Sequence, residues 1–591
     1  MAKKERKPWQ ALDPYRNKVF STEWPTFPQL IQISAERFKD NNCFTDFDGP
    51  NGTKRTFTYS QAYEKIKKLA AWMTANGIQK GDHVALTGKN SPEWAITYLA
   101  ILCASATTIP LDFALHEKEV QNLLNTAKPK MIFVDDEKYE TISKANPEIK
   151  VLSLTPKLSD VYCLNLEPPA EVKMNGDAEP NDLAAILFTS GTTGTPKGVM
   201  LTHENLISDC FIAQTQLQIL PTDTFYALLP IHHAYTMQAA FINPVSVGAE
   251  IVFGKSMSVS RLLKELKEGR ITIMLGVPLL YNKLLAGIKK GIKEKGIFVS
   301  ALMGLMMQIC YGLKKAFHIN LGHKLFMPIL KKASLSTLRV AICGGGPLAP
   351  SVFKAYNAAG IDFIQGYGLT ETSPIIALNP IEGFKIHSVG KYFAPMMEMK
   401  IINPNEKGIG EIVVKGPMVM KGYYNMPEET KKVFTEDGFF KTGDLGEIDK
   451  DNYVILRGRA KNMIVTSGGK NVYPEEIEDS FQLCDSIQQI VVRGYKAEND
   501  DSSEEIEALI YPSDIAYEEI GQKRSDNFNS SEIKNKIQSI VDKINKTLQP
   551  YARITRIKIL DKLMEMTTTQ KVKRNYDDKN KEEKKDSDQA K

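Results

Sequence analysis

The sequence predicts an α/β fold, with a large N-terminal domain of parallel-rich sheets and helices and a small mobile α+β domain after it. Three observations carry that prediction. Short apolar runs alternate with helix-length stretches as far as about Gln365. Several of these runs end in glycine-rich turns, as strands of open sheets do. Composition changes after Arg459, and 591 residues are too many for one core, since domains usually run to about 100–200 residues.

The elements follow in order. Val84–Thr87 reads as a strand, an amphipathic helix runs from about Pro92 to Ala104, and Thr107–Leu111 reads as the next strand. A helix near Lys118–Ala127 and a strand at Lys130–Val134 complete a unit whose lengths suit a parallel sheet. The pattern resumes at Ala184–Thr189, Ile251–Phe253, Ile271–Leu275, Leu338–Cys343 and Ile361–Gln365. Near the C-terminus a helix at about Ser531–Leu548 precedes a strand at Ile554–Leu560, enough for a small α+β domain. The stretch Glu498–Glu505 reads as an acidic loop, and 577–591 as a tail too polar to offset its ordering entropy.

Hydrophobic residues make 42% of the chain and charged residues 25%, which excludes wholesale disorder and a polytopic membrane protein. Seven cysteines without a CxxC pair exclude a disulfide framework and a thiolate zinc site, and imply a reducing compartment. Pro8, Trp9 and Gln10 stand where a signal peptide would run apolar, so a cytoplasmic location is expected. A net charge of +5 is too small to imply a nucleic-acid partner. Its distribution is uneven: Lys283–Lys332 holds ten lysines and one acid, Glu294, for a local +9. Within it Ile297–Leu313 is an uncharged run of 17 residues, slightly short for a spanning helix. The expected role is an interfacial element on an anionic membrane surface, at the inner face. The competing expectation is a core helix with a solvated lysine rim.

The densest local signal is Phe188–Gly198, FTSGTTGTPKG. Thr189, Ser190, Gly191, Thr192, Thr193 and Gly194 directly follow an apolar strand and supply N–H groups and hydroxyls to a polyanion, with Lys197 nearby for charge. It is not a Walker loop, because Gly198 follows Lys197. Taken alone, it reads equally well as a flexible polar loop. A second element tips the balance. Leu338–Cys343 runs into Gly344, Gly345, Gly346 and Pro347, and Ile361–Gln365 runs into Gly366-Tyr367-Gly368-Leu369-Thr370-Glu371. Triple glycine lets a flat ring lie against the backbone, Tyr367 offers a stacking face, and Glu371 is a hard oxygen ligand suited to Mg²⁺ among phosphates.

With these segments, Lys441-Thr442-Gly443-Asp444, Arg457-Gly458-Arg459-Ala460-Lys461 and Thr567–Lys571 in one order along the chain, the sequence resembles the adenylate-forming superfamily of acyl-CoA synthetases, luciferases and peptide-synthetase adenylation domains. The stretch 462–478, NMIVTSGGKNVYPEEIE, is most similar to long-chain fatty-acid–CoA ligases. The resemblance implies ATP-dependent activation of a long-chain fatty acid to acyl-AMP with release of pyrophosphate, then transfer to coenzyme A, with Mg²⁺ required. It implies a nucleotide-binding N-terminal domain over 1–459 carrying the basic insertion 283–332, a mobile domain over 460–576, and the tail.

It also implies residue roles. Asp444 matches the carboxylate that bonds the ATP ribose, and Arg459 the arginine near the same ribose and phosphate. Thr370 and Glu371 match the phosphate- and magnesium-binding pair. His233 matches the histidine beside the acyl carboxylate and the CoA thiol route, although chemistry alone does not separate it from His232. Lys571 matches the lysine that offsets charge during adenylation; Gln570 stands where the family has glycine, and Lys573 is the competing alignment. Lys461 matches the hinge, and Gly468 and Gly469 come beside the pantetheine arm. Two other functions are compatible: an acyl-AMP ligase that hands its acyl group to a carrier protein, and a non-catalytic membrane-bound acyl or nucleotide sensor.

Overall fold

Apart from its first residue, His83–Thr87 is buried throughout, and it lies inside a seven-stranded sheet, as an apolar strand covered on both faces must. Thr107–Leu111 and Met131–Val134 flank it in parallel, and Lys150–Ser153 forms the edge. Leu183–Thr189 continues the sheet on the other side, and Lys197–Thr202 returns antiparallel to it. This computed structural model describes residues 6–49, 52–189, 196–255, 258–294, 296–346, 348–466, 469–497, 500–566, 572 and 574.

A thirteen-stranded sheet forms the second layer. Its parallel half contains Glu250–Phe253, Thr224–Ala227, Ile273–Gly276, Val340–Cys343 and Asp362–Gly368. Past Asp362–Gly368 each added strand is antiparallel, including the pair Phe440–Ile448 and Tyr453–Arg459. The apolar runs announce the parallel half. The antiparallel half lacks such runs, because its strands alternate buried and half-exposed positions, as Phe440–Ile448 does.

Between the sheets lies Pro92–Cys103, where an amphipathic helix was expected; instead every one of its residues is buried. Side chains from both sheets surround it in one core cluster. Glu93 is tolerated there because the Arg55 guanidinium donates to both its oxygens, at 2.7 and 2.9 Å, and the Tyr162 hydroxyl adds a third bond at 2.7 Å.

The C-terminal part has its own core, with Ile533, Ile537 and Val541 of the Ser531–Asn545 helix fully covered by a three-stranded sheet and its surroundings. Arg556–Ile559 pairs in parallel with Asp500–Pro512, which pairs antiparallel with Ile487–Ala497. The expected acidic loop is therefore largely strand: Glu504 and Glu505 pair with Lys496 and Tyr495. Glu507 nearby is fully buried, and Arg493 and Arg556 both donate to it.

The basic insertion is a layer of helices, Pro278–Lys293, Ile297–Phe317, Gly322–Leu325 and Met327–Lys332. The uncharged run sits in a 21-residue helix of which only Cys310, Tyr311 and Lys314 are buried. That overturns the core-helix expectation. Phe298 is 91% exposed, and Leu302, Leu305 and Ile309 lie on the same open face at 54–58%. Lys314 turns inward, donating to Asn357 Oδ1 at 2.8 Å and pairing with Asp362 at 2.8 Å, so its charge does not reach the surface.

Candidate active site

The glycine-rich turns converge where the parallel and antiparallel halves of the large sheet meet. Val340–Cys343 and Asp362–Gly368 are neighbours in parallel, so Gly344, Gly345 and Gly346 emerge beside Gly366, Tyr367 and Gly368. The glycines are sterically required at two positions. A Cβ on Gly368 would lie 1.6 Å from the Pro374 carbonyl oxygen, and one on Gly344 would lie 2.9 Å from the Tyr235 ring. Gly344, Gly345, Tyr367, Gly368, Tyr235 and Ala239 are among the residues around an apolar cavity of about 90 Å³.

Asp444 and Arg459 come from the two antiparallel strands that follow, as direct cross-strand partners. Arg459 Nε donates to Asp444 Oδ1 at 2.7 Å, and the Tyr367 hydroxyl donates to Asp444 Oδ2 at 2.7 Å. The carboxylate is buried to 6% exposure while Arg459 stays half open. Burial, reinforced by Asp444, pushes the Tyr367 hydroxyl well above its ordinary range, so it remains a donor.

Thr370 and Glu371 form the short turn that follows Gly368. Glu371 Oε1 accepts from the Tyr423 hydroxyl at 2.9 Å, and its backbone carbonyl accepts from Met420 N–H. Burial first, and the nearby Glu371 second, raise the Tyr423 hydroxyl. This carboxylate is a hard oxygen donor on a rigid turn, which fits a magnesium ion among phosphates.

Thr189 and Lys197 end the two paired strands on either side of the polyanion loop, opposite each other in register. Lys197 Nζ is bound to Glu429 at 2.7 Å and sits 4.9 Å above the Tyr423 ring. Its hydrogen bonds with Glu429 help hold that carboxyl at about 2. Ser190, Gly191, Thr192, Thr193 and Gly194 lie outside the described residues, as do Pro347, Gly468, Lys571 and Lys573.

The His232 and His233 rings pack against each other, tilted by 43°, at 4.1 Å between centroids. His232 is 8% exposed, with Nε2 3.6 Å from Asp112 Oδ2; His233 is more open. Asp112 follows the Thr107–Leu111 strand, over a hundred residues away, and no local sequence signal connects it to the histidines. Ligand atoms of Asp112, His232 and His233 all lie within 4.8 Å of one another.

Lys461 is exposed in the turn Ala460–Asn462 that leaves the last N-terminal strand; burial of its stem and the charges of Arg459 and Arg574 lower its pKa. Gly469 has φ +65°, in a hairpin between Ile464–Val465 and Asn471–Val472. Gln482 bridges the two parts of the chain: its side chain accepts from Ala349 N–H at 2.7 Å and its carbonyl from Asn282 at 3.4 Å. Met566 and Val572, on either side of the Thr567–Lys571 motif, pair antiparallel, and Arg574 is tied to Glu478 at 2.6 Å. Burial pushes the Glu478 carboxyl up to about 7 against the pull of Arg574.

The family model described as AMP-binding enzyme matches residues 31–424, and that of the AMP-binding enzyme C-terminal domain matches 461–580. The chain belongs to the AMP-binding, adenylate-forming family. It is an ATP-dependent acid–thiol ligase of the kind that joins acyl or aryl acids to CoA or to a carrier protein. It is 28% identical over 559 residues to the long-chain-fatty-acid–CoA ligase FadD15 of Mycobacterium tuberculosis, covering 89% of this chain and 90% of that one. It is 28% identical over 557 residues to the chloroplastic long-chain-fatty-acid–[acyl-carrier-protein] ligase AEE15 of Arabidopsis thaliana, covering 80% and 75%. Among solved structures, ATP-bound MatB from Rhodopseudomonas palustris superposes with a TM-score of 0.71 at 26% identity, covering 93% of this chain and 98% of MatB.

Proposed function

We propose that this adenylate-forming enzyme is a long-chain fatty acid–CoA ligase working at an anionic membrane surface on the cytoplasmic side. The observation that carries the chemistry is the Tyr367–Asp444–Arg459 cluster beside the apolar cavity at Gly344 and Gly345. A buried carboxylate able to accept from ribose hydroxyls, a guanidinium and an aromatic face suit a nucleotide. The cavity next to it suits an apolar acid.

A fatty acid is ionised at neutral pH, so its attack on the α-phosphorus needs no general base. It needs two anions held together, which is positioning plus charge compensation. In this reading Asp444 and Arg459 orient the nucleotide, Thr189 and Lys197 flank the loop that takes its phosphates, and Thr370 contributes a hydroxyl. Glu371 would hold the magnesium ion, whose charge offsets that of the departing pyrophosphate. Lys571 would supply a second positive charge from the C-terminal part. The acyl-AMP is a mixed anhydride open to thiol attack, with His233 beside the acyl carboxylate. Lys571 then has to leave, by rotation about Lys461, for Gly468 and Gly469 to line the path of the CoA arm.

Support for a long acyl chain comes from the likeness to FadD15 and from the open apolar helix in the basic layer, a form suited to substrates that partition into bilayers. A carrier-protein acceptor is the second reading, favoured by the likeness to AEE15. Pyrophosphate release with ATP and acids of increasing length, followed by CoA or an acyl-carrier protein as acceptor, tests both. No release with any acid from C6 to C18 would sink the fatty-acid reading. Thioester formed only on the carrier protein would replace the acceptor.

A further inference from the structure

The basic layer encloses a cavity of about 480 Å³, inside the usual range for ligand pockets of about 300–1,000 Å³. It shares no lining residue with the cavity beside Tyr367. The two are close neighbours all the same. Val277 lines the larger one, directly after Gly276, and Gly276 pairs with Cys343, next to Ile342 and Gly344 of the smaller one. Tyr235 stands between them: its hydroxyl donates to Ile342 O at 3.1 Å, and its ring packs against the core clusters on both sides.

The lining of the larger cavity is almost wholly aliphatic. Leu284 and Ile288 form one wall, Val299 and Met303 of the long exposed helix another, and Ile329 closes it. Among the described residues lining it, the charged ones are Lys283 and Lys332, both exposed at its edge. Two glycines, Gly287 and Gly291, face it one helical turn apart within Pro278–Lys293. A Cβ on either would meet nothing within 4 Å. Glycine is a poor helix former, so its use twice on the cavity face, where larger side chains would fit without collision, keeps volume open. An apolar chamber with cations at its rim, roofed by a helix whose outer face is apolar, has the chemistry of a site for one aliphatic chain with an anionic head.

We infer that this cavity is a second lipid site, distinct from the adenylation pocket, that holds a single acyl chain with its anionic head at Lys283 and Lys332. The inference rests on the fatty-acid reading above only for the identity of the occupant. Its free acid and a membrane lysophospholipid share the relevant chemistry: one long chain and one anion.

The test uses the full chain with its adenylation site filled by palmitoyl-sulfamoyl adenosine, a non-reacting mimic of palmitoyl-AMP. Calorimetric titration with palmitate, below its aggregation concentration, is expected to show one further equivalent bound. Gly287→Leu with Gly291→Leu should weaken that binding about tenfold or more by filling the chamber, while the mimic binds as before, which reports an intact fold. Lys283→Gln and Lys332→Gln should each weaken it about fivefold. A parallel titration with lysophosphatidylglycerol separates the sources: uptake of palmitate alone identifies the free acid, and uptake of both places a lipid headgroup at the lysines. Absence of a further equivalent of either amphiphile, or unchanged binding in the double glycine variant, overturns the site. Failure of the mimic to bind, with palmitate still taken up and lost in that variant, would instead sink the long-chain fatty-acid reading and leave the site standing.

Discussion

The nucleotide corner and the basic helical layer solve opposite problems. Around Tyr367 polar groups are buried and paired: Asp444 accepts from both Tyr367 and Arg459, Glu371 from Tyr423, and Lys197 is tied to Glu429. In the long helix of the basic layer most of the exposed residues are apolar, while Lys314 turns inward to pair with Asp362. Charge-assisted bonds in a covered site hold groups where a reacting nucleotide needs them, at the cost of tolerance to change. An open apolar face has little to disturb within the molecule, and what it gains depends on what covers it.

The largest expected effect lies on the catalytic side. Lys571→Ala should slow fatty-acid-dependent pyrophosphate release about 10²–10³-fold, or about 2.7–4 kcal/mol, and leave thioester formation from supplied acyl-AMP largely intact. If Lys573→Ala has that selective effect instead, the motif alignment moves by two residues.

Next is a pH effect from the buried side of the comparison. His203 is fully covered, accepts from Phe27 N–H at Nδ1, and burial lowers its pKa from 6.5 to about 4. The unfolded chain then binds the proton more readily than the folded one. Its contribution is present above pH 6.5 and is lost as pH falls towards 4, an effect of about 3 kcal/mol over that window. Denaturant titrations at pH 7.5 and pH 4.5 should show this loss in the parent and a smaller one in His203→Gln. Parallel curves for the two proteins would assign the acid sensitivity elsewhere.

One substitution made in both regions sharpens the contrast. Gly368→Ala forces the Pro374 carbonyl aside and should cost about 1–3 kcal/mol, with loss of ATP binding. Gly304→Ala, in the exposed helix with open space around it, should stabilise by about 0.5–1 kcal/mol and leave adenylation unchanged. Thermal melts with an ATP-binding titration check both. Destabilisation by Gly304→Ala would mean that this face is already covered in solution.

Much of the fold was legible because buried parallel strands are continuous apolar runs, and Thr107–Leu111 was placed to the residue. The antiparallel half of the large sheet was missed because half-covered strands carry a weaker pattern. Pro92–Cys103 reads as amphipathic in the sequence yet is buried all round, and its one acid, Glu93, is accommodated by pairing with Arg55 and Tyr162 from distant segments. Tyr367, Asp444 and Arg459 were expected in one site and lie in hydrogen-bonded contact. Asp112 beside His232 was invisible, because nothing local to either residue encodes a contact between distant segments.

The sequence by itself determined the order of strands and turns, the glycines at Gly344 and Gly368, and the concentration of lysines in one segment, because these depend on local sterics, periodicity and composition. Only the tertiary structure decided which charges face outward and which are consumed inside. Lys314 belongs to the basic run yet pairs with Asp362, and Lys197 belongs to the phosphate-loop motif yet binds Glu429. It also decided that the uncharged run is a surface and encloses a cavity. The physical reason is that burial belongs to packing between distant segments: the same apolar helix is core or surface according to what the rest of the chain lays against it.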